Sequence, residues 1–516
     1  MRVGEVRAFA RIATFDLEDC VAMRSSRVLR RVVGPILVVG LCSFGAAGAA
    51  TIDRPTDGIV PDDLQVHLQA FQAVADAHGG NRAFATSGYD ASVDYVVGRL
   101  RAAGLEPRLQ EVLIPNQPVK VGAPALARTA PTAETYVEGT DYLAVDPGPP
   151  NSVEAELFVA AGNGCDEADY SGIVEGQIAL ITLGPGCTAI EAHLAAFTAS
   201  ASGMLFAPAG GAGAPPTVID LALQNVHLGT PTMSLSGDAA AALAALTTTD
   251  AVRMRIDTGY ATGSVPTRHV IAEIRGRTDQ VVMVGGHLDS VPNGAGMDDN
   301  ASGAAGVLAV AEHMAASGRQ PERTIRFAWW GAEEVSVLGA TVPPGSKAYV
   351  DSLSASERAR IVAYLNVDML GAPNWVRVVM DPAVATDTAT VAPGSDVITR
   401  RFDAYFAAQS EPVVRGWWNG RSDDGAFAEA GIPTGGLASA TGAAAKTDAE
   451  AALFGGTAGA PTDPCYHLPC DTLANVDLDI TADLTRALGA VAWELANEGM
   501  AAPTPTPVSA APRFTG

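Results

Sequence analysis

Two histidines and four acids follow one another in a fixed order along the second half of the chain. They are His287 in GGHLDS, Asp299 in MDDNASG, Glu333 and Glu334 in WWGAEE, Asp368 in NVDML and His467 in CYHLPC. Neutral imidazole and carboxylate oxygen are the donors that catalytic zinc takes. Two such ions about 3.5 to 4 Å apart need terminal His and carboxylate ligands plus one carboxylate shared between them. The set meets both demands, so the chemistry it implies is metal-assisted hydrolysis.

Each residue also has an ordinary use. His287 follows the apolar run Val281-Val282-Met283-Val284 and two glycines that permit close backbone approach. Alone it would be a hydrogen-bonded strand-end histidine, but Asp289 two residues on can accept the proton of the ring nitrogen facing away from a metal. Asp299 precedes a predicted helix, where Asp and Asn often serve as N-caps. Asn300 or Ser302 can cap instead, which frees Asp299 to bridge; Asp298 is the competing ligand. Adjacent Glu333 and Glu334 point in different directions and can divide two tasks, Glu333 as general base and Glu334 as ligand. Asp368 closes the apolar stretch Ala363–Val367, where a lone charge is costly; a salt bridge is the alternative to a metal. His467 lies between Cys465 and Cys470, and Tyr466 beside it can donate to a developing oxyanion or simply pack.

The elements around these residues explain how they could meet. Apolar residues at helical spacing predict helices over Pro61–Ala77 and Asp90–Ala103, the second stopped by Gly104. Arg108–Ile114 alternates like a strand. From His269 onward, strands at 270–274, 280–284, 324–330 and 363–368 alternate with a helix over 301–317. That order predicts an α/β fold with a mostly parallel sheet between helices, whose carboxyl strand ends gather ligands.

Residues 136–257 have a different texture of short apolar strands, small residues and Gly/Pro turns, which marks an inserted β-rich domain. Gly164–Tyr170, Gln177–Ile181, Cys187, the helix containing Ala192–Ala201 and Thr230–Ser234 resemble a protease-associated (PA) domain. The expected organisation is therefore a leader over 1–50, a first segment of the α/β domain over 51–135, the PA-like insert over 136–257, the remaining α/β domain with the candidate ligands over 258–500 and a flexible Pro/Ala/Thr-rich tail over 501–516.

The motifs GGHLDS, GMDDNASG, WWGAEE, LNVDMLGAPN, RSDDGAF, AGIPTGGL and CYHLPCDT, in that order, resemble the M28 family of zinc peptidases and, within it, its secreted leucine aminopeptidases. The resemblance implies a phosphorylase/hydrolase-like three-layer sandwich. It places His287, Asp299 and Asp368 around one Zn2+ and Asp299, Glu334 and His467 around a second, with Asp299 bridging, Glu333 as base and Tyr466 as oxyanion donor. It further implies that acidic groups hold the free amino terminus, that a hydrophobic pocket takes the first side chain, and that Arg421 lines the substrate cleft. Asp424 departs from the bulkier ring frequent in relatives, which bears on pocket size. The PA-like insert is a further departure from the compact secreted members.

Composition sets the remaining limits. The 516 residues include 57 acids against 33 basic residues, a formal charge of -24. Phosphate binding depends on clustered Lys and Arg, so nucleic acid is excluded as a partner. Arg24, Arg27, Arg30 and Arg31 precede an apolar run from Val32 to Leu41 and the small residues Ala47–Ala50. This is the layout of a secretory leader, with Met23 as an alternative start. An uncleaved anchor and a lipoprotein signal at Cys42 are the competing readings, and Pro35 with the Gly and Ala content argues against the anchor. No membrane insertion is expected after cleavage. Loss of the leader leaves Cys165, Cys187, Cys465 and Cys470, an even number that in an exported chain implies disulfides; of the possible pairings, nearest neighbours lie within one local unit.

The expectation is thus a secreted, monomeric two-zinc aminopeptidase acting on amino termini of peptides or proteins, favouring large hydrophobic first residues, with Ca2+ as a candidate modulator. Its rivals are a dizinc carboxypeptidase or other amide hydrolase on the same scaffold, and a non-catalytic PA/peptidase-like binding protein, a class that loses metal ligands.

Overall fold

Val281–His287 is buried along its whole length, as expected of a central parallel strand covered by helices on both faces. It is one of eight strands in the first sheet of the computed structural model. That model describes residues 54–145, 151–219, 230–335, 341–386, 389–416, 419–440 and 442–498. The expected leader and tail lie outside the described residues.

The strand order of this sheet is Arg108–Lys120, Tyr260–Ile274, Thr324–Trp330, Val281–His287, Ile361–Val367, Thr434–Ala438, Val378–Met380 and Val414–Gly416. Thr324–Trp330, Val281–His287, Ile361–Val367 and Thr434–Ala438 run parallel. Antiparallel pairings flank them on both sides. The sheet is therefore mixed but mostly parallel, as expected, with four of its seven pairings parallel: three at the centre and one between Val378–Met380 and Val414–Gly416.

The first helix, Pro61–Ala77, has Pro at its start, and the Asp63 carboxylate accepts from Val60 N at 3.0 Å. Leu64, Leu68, Phe71 and Ala75 form its buried face, one stripe of a 3.6-residue period. Gly303–Ala316 is almost wholly buried, and its small residues permit close contact: a Cβ on Gly306 would lie 2.8 Å from Thr485 Oγ1 of the helix Leu478–Glu498. These helices and Ser395–Ala408 share one apolar core with the sheet.

The second sheet also has eight strands, in the order Glu134–Thr135, Ala125–Ala130, Arg253–Asp257, Ser152–Val159, Ile178–Thr182, Gly203–Ala207, Thr232–Leu235 and Tyr142–Ala144. Two of them precede residue 136, because Ala125–Ala130 pairs with Arg253–Asp257; its sequence, ALARTA, carries no clear period that would reveal this. The chain enters and leaves the second sheet as a hydrogen-bonded ribbon that turns at Gly259, where φ is +74° and a Cβ would lie 2.6 Å from Gly122 O. Only glycine fits there.

Helix Ala189–Thr198 covers one face of this sheet and begins at Thr188, whose hydroxyl accepts from Glu191 N. Just before it, Cys187 is bonded to Cys165. His193 on its buried face is 2% exposed, and neither ring nitrogen has a hydrogen-bond partner. Burial lowers its pKa from 6.5 to about 4. Between those values the unfolded chain binds a proton that the folded chain refuses, so stability falls as pH drops through that window. His193→Leu is expected to raise unfolding stability by about 2 kcal/mol at pH 5, with a smaller gain at pH 8. Urea titrations at the two pH values check this, and an equal gain at both would contradict it.

Candidate metal centre

The centre lies at the carboxyl edge of the parallel strands. His287 ends its strand and pairs in register with Trp330, while Gly285 pairs with Asn366. Glu333 and Glu334 follow Trp330 by a short turn, and Asp368 directly follows Val367. A Cβ on Gly286 would lie 2.6 Å from Val367 O, so the glycine allows neighbouring strand ends to approach. Asp299 sits in the irregular turn Met297–Ser302 that leads into Gly303–Ala316. His467 comes from the loop closed by the Cys465–Cys470 disulfide.

Backbone strain concentrates beside these residues. Ala332, just before Glu333, has φ 65°; Met369, just after Asp368, has φ 56°; His467 itself has φ 59°. Left-handed conformations in non-glycine residues cost about 1–3 kcal/mol each and persist where the surroundings over-determine them.

Among the described residues the side chains form three groups, of which two share Asp299: His287, Asp299 and Asp368; and Asp299, Glu334 and His467; the third, His287, Glu333 and Glu334, lacks it. Ligands about 2.0–2.1 Å from one tetrahedral ion lie about 3.3 Å from each other. His287 Nε2 lies 3.3 Å from both Asp299 Oδ1 and Asp368 Oδ1. His467 Nε2 lies 3.1 Å from Asp299 Oδ2 and 3.3 Å from Glu334 Oε2. Asp299 thus gives one oxygen to each of the two groups that share it. Glu333 stands further off, its Oε2 4.0 Å from His287 Nε2. Buried Glu334 Oε1 has no hydrogen-bond partner, as suits a carboxylate facing a cation. These donors and spacings fit zinc.

The electrostatics fit it too. Burial alone would depress both imidazoles, yet the surrounding acids outweigh it. Glu334 and Asp299 push His467 up to about 11, and Glu333, Asp368 and Asp299 hold His287 well above its ordinary value. Burial, with Asp299 adding, pushes Glu334 up to about 7. Burial raises Glu333 well above its ordinary value too, with Glu334 and Asp368 adding. Asp299 is held well below, because hydrogen bonds from His287 and His467 outweigh its burial. A site that retains protons so strongly has a surplus of negative charge, which divalent cations can neutralise instead.

Surrounding hydrogen bonds fix the donors. Trp330 Nε1 donates to Tyr364 Oη (2.8 Å), Tyr364 to Asn366 Oδ1 (2.9 Å), Asn366 Nδ2 to Ser422 Oγ (2.9 Å), and Ser422 to Asp368 Oδ2 (2.7 Å). Asp368 is the most open of the set, its side chain 26% exposed, so it borders the cleft instead of lying in an apolar interior. Asp471 accepts from Asp298 N and Asp299 N at 2.8 and 3.1 Å. Asn300 Oδ1 accepts from Gly303 N and Met369 N, taking the capping role that leaves Asp299 free. Buried Arg82 binds the carbonyls of Leu288, Ala295 and Gly296. Ser422, Asn366, Asp471 and Arg82 were not singled out by the motifs as supports.

One expectation changes in detail. His287 Nδ1 bonds to the backbone oxygen of Asp289 at 2.9 Å, while the Asp289 carboxylate is 3.9 Å away. That carboxylate instead accepts from Glu333 N and Glu334 N, both at 3.2 Å, so Asp289 orients the two glutamates. Asp298, the competing ligand, turns away and accepts from Gly371 N at 2.7 Å.

A cavity of about 1160 Å³ opens over the centre and is lined by Glu333, Asp368, Arg421, Tyr466 and His467, among others. Tyr466 stacks on His467 with ring centroids 3.8 Å apart. Burial, followed by Asp299 and Glu334, keeps its phenol protonated. Arg421 is exposed, and Asp424 borders the cavity with one carboxylate oxygen unpartnered.

The family model described as peptidase family M28 matches residues 269–492. An aminopeptidase of Pseudomonas aeruginosa is 35% identical over 80% of this chain and 76% of its own length. The probable lipoprotein aminopeptidase LpqL of Mycobacterium tuberculosis is 33% identical over 88% and 91%, and leucine aminopeptidase 2 of Trichophyton tonsurans 33% over 90% and 91%. Among solved structures, the aminopeptidase from Aneurinibacillus sp. strain AM-1 aligns with a TM-score of 0.55 at 21% identity, over 89% of this chain and 98% of its own. The zinc aminopeptidase of Bacillus subtilis aligns at 0.56 and 20%, over 84% and 95%. These two likenesses concern the fold.

Proposed function

Because this chain belongs to peptidase family M28, we propose that it is a zinc-dependent aminopeptidase that removes the first residue from peptides with a free amino terminus. The observation that carries this reading is the pair of three-residue groups sharing Asp299. His287, Asp299 and Asp368 would hold one zinc, and Asp299, Glu334 and His467 a second. Zinc bound there supplies Lewis acidity, polarising the scissile carbonyl and making water acidic enough to attack near neutral pH.

The chain's own residues do the rest. Glu333 belongs to neither zinc set and takes the proton of the attacking water, then passes it to the leaving amine. Burial raises its pKa, with Glu334 and Asp368 adding, which favours holding that proton until the amine leaves. Tyr466 stays protonated and donates to the oxyanion that develops at the carbonyl. Arg421 lines the cleft. Along the sheet edge, Val378, Met380 and Leu437 line the cavity and offer an apolar wall to a large first side chain. The name of the Trichophyton relative, a leucine aminopeptidase, supports that preference.

The leader-like sequence supports export, and no helix among the described residues is long and apolar enough to cross a membrane. The reading is tested with leucine p-nitroanilide, Leu-Gly-Gly and their N-acetyl forms. The free-amine substrates are expected to be cleaved and the blocked ones left intact; comparable turnover of the blocked forms would point to another amide hydrolase.

A further inference from the structure

The helix Ala189–Thr198 of the insert differs from an ordinary surface helix in that both of its faces are apolar. One face is core, with Ala192 and Ala196 fully buried among Tyr170, Ile181 and Phe206. The other carries Leu194 and Phe197 at helical spacing, with Ile190, half-buried against the same core, one turn before Leu194. Leu194 is 39% and Phe197 43% exposed. An exposed stripe of large apolar side chains marks a surface with a partner.

That stripe borders the catalytic cleft. Ala189, Ile190 and Leu194 line the same cavity as Glu333, Asp368, Tyr466 and His467. Pockets of about 300–1,000 Å³ enclose a drug-sized ligand, so 1160 Å³ is more than one amino-acid side chain fills. The space left over can take the residues that follow it. The charge on this helix is already satisfied, since Glu191 Oε2 accepts from Thr188 N and Thr188 Oγ1, each at 2.9 Å. What remains is an apolar wall. It is also firmly placed: the Cys165–Cys187 disulfide precedes the helix, and the Tyr170 hydroxyl lies 2.6 Å from Gly164 O and 3.1 Å from Ala192 O.

The geometry points to a second specificity element: Ile190 and Leu194 contact the substrate residues beyond the scissile bond and favour apolar side chains there. This rests on the aminopeptidase reading of the centre. The test compares leucinamide, whose leaving group is ammonia and so leaves the space beyond the scissile bond empty, with Leu-Phe-Leu-Gly and Leu-Ser-Ser-Gly, in the zinc-loaded protein and in Ile190→Ser/Leu194→Ser. The unmodified protein is expected to favour Leu-Phe-Leu-Gly by about tenfold in kcat/KM, from burial of two partly exposed side chains. The double variant is expected to bring the two peptides within about twofold, with leucinamide turnover unchanged. If the double variant loses leucinamide turnover, Leu194→Gln alone repeats the comparison. Leucinamide cleavage with no peptide preference, or a preference that survives the substitutions, overturns this inference alone. Leucinamide and leucine p-nitroanilide both left intact by the unmodified protein overturn the aminopeptidase reading itself.

Discussion

Glu333→Gln is expected to lower kcat by roughly 1,000-fold, the range of a lost general base, while zinc content stays that of the unmodified protein. The amide keeps the shape and the surrounding hydrogen bonds but cannot take a proton at neutral pH. Glu333 lies outside both three-residue groups that share Asp299, and its oxygen is further from His287 than the 3.3 Å of the neighbouring pairs. Its backbone N–H is anchored on Asp289 independently of the side chain, so the turn should persist. Metal analysis beside steady-state kinetics checks both halves. Retained turnover would reject the assigned base, and lost zinc would make Glu333 a ligand.

Asp299→Ala should have the opposite signature. It removes one oxygen from each group at once, 3.3 Å from His287 and 3.1 Å from His467, so zinc and activity are expected to fall together. Asp368→Ala touches one group only and should leave the other zinc bound. A bound metal stabilises the folded state by about 4 kcal/mol when present at 1,000 times its dissociation constant, so unfolding of the unmodified protein should respond strongly to zinc. In Asp299→Ala that response should nearly vanish. Calorimetric scans with and without zinc read this directly, and an undiminished shift would deny Asp299 its shared role.

The parts of this site that a linear reading reveals share a local cause. Val281–Val284 and Phe327–Trp330 are unbroken apolar runs that lead within a few residues to His287 and to Glu333, and such runs locate strands with no further information. Pro61–Ala77 announces itself through Pro61, Asp62 and the spacing of Leu64, Leu68 and Phe71. The support of the site has no such mark. Arg82 reaches the carbonyls of Leu288, Ala295 and Gly296 from more than 200 residues away, and nothing in its neighbours foretells that. The Ser422–Asp368 bond spans 54 residues and the Asp471–Asp299 bond 172. Asp289 was legible as a partner of His287, but not that its backbone makes the bond while its carboxylate serves the glutamates. Ala125–Ala130 joins the second sheet through its partner Arg253–Asp257, a pairing that tertiary context decides.

Anomalous diffraction at the zinc edge from crystals grown with zinc tests the central claim most directly. Two peaks per chain are predicted, about 3.5–4 Å apart, one beside His287 and Asp368, the other beside Glu334 and His467, with Asp299 between them. A single peak, or none at saturating zinc, would contradict it.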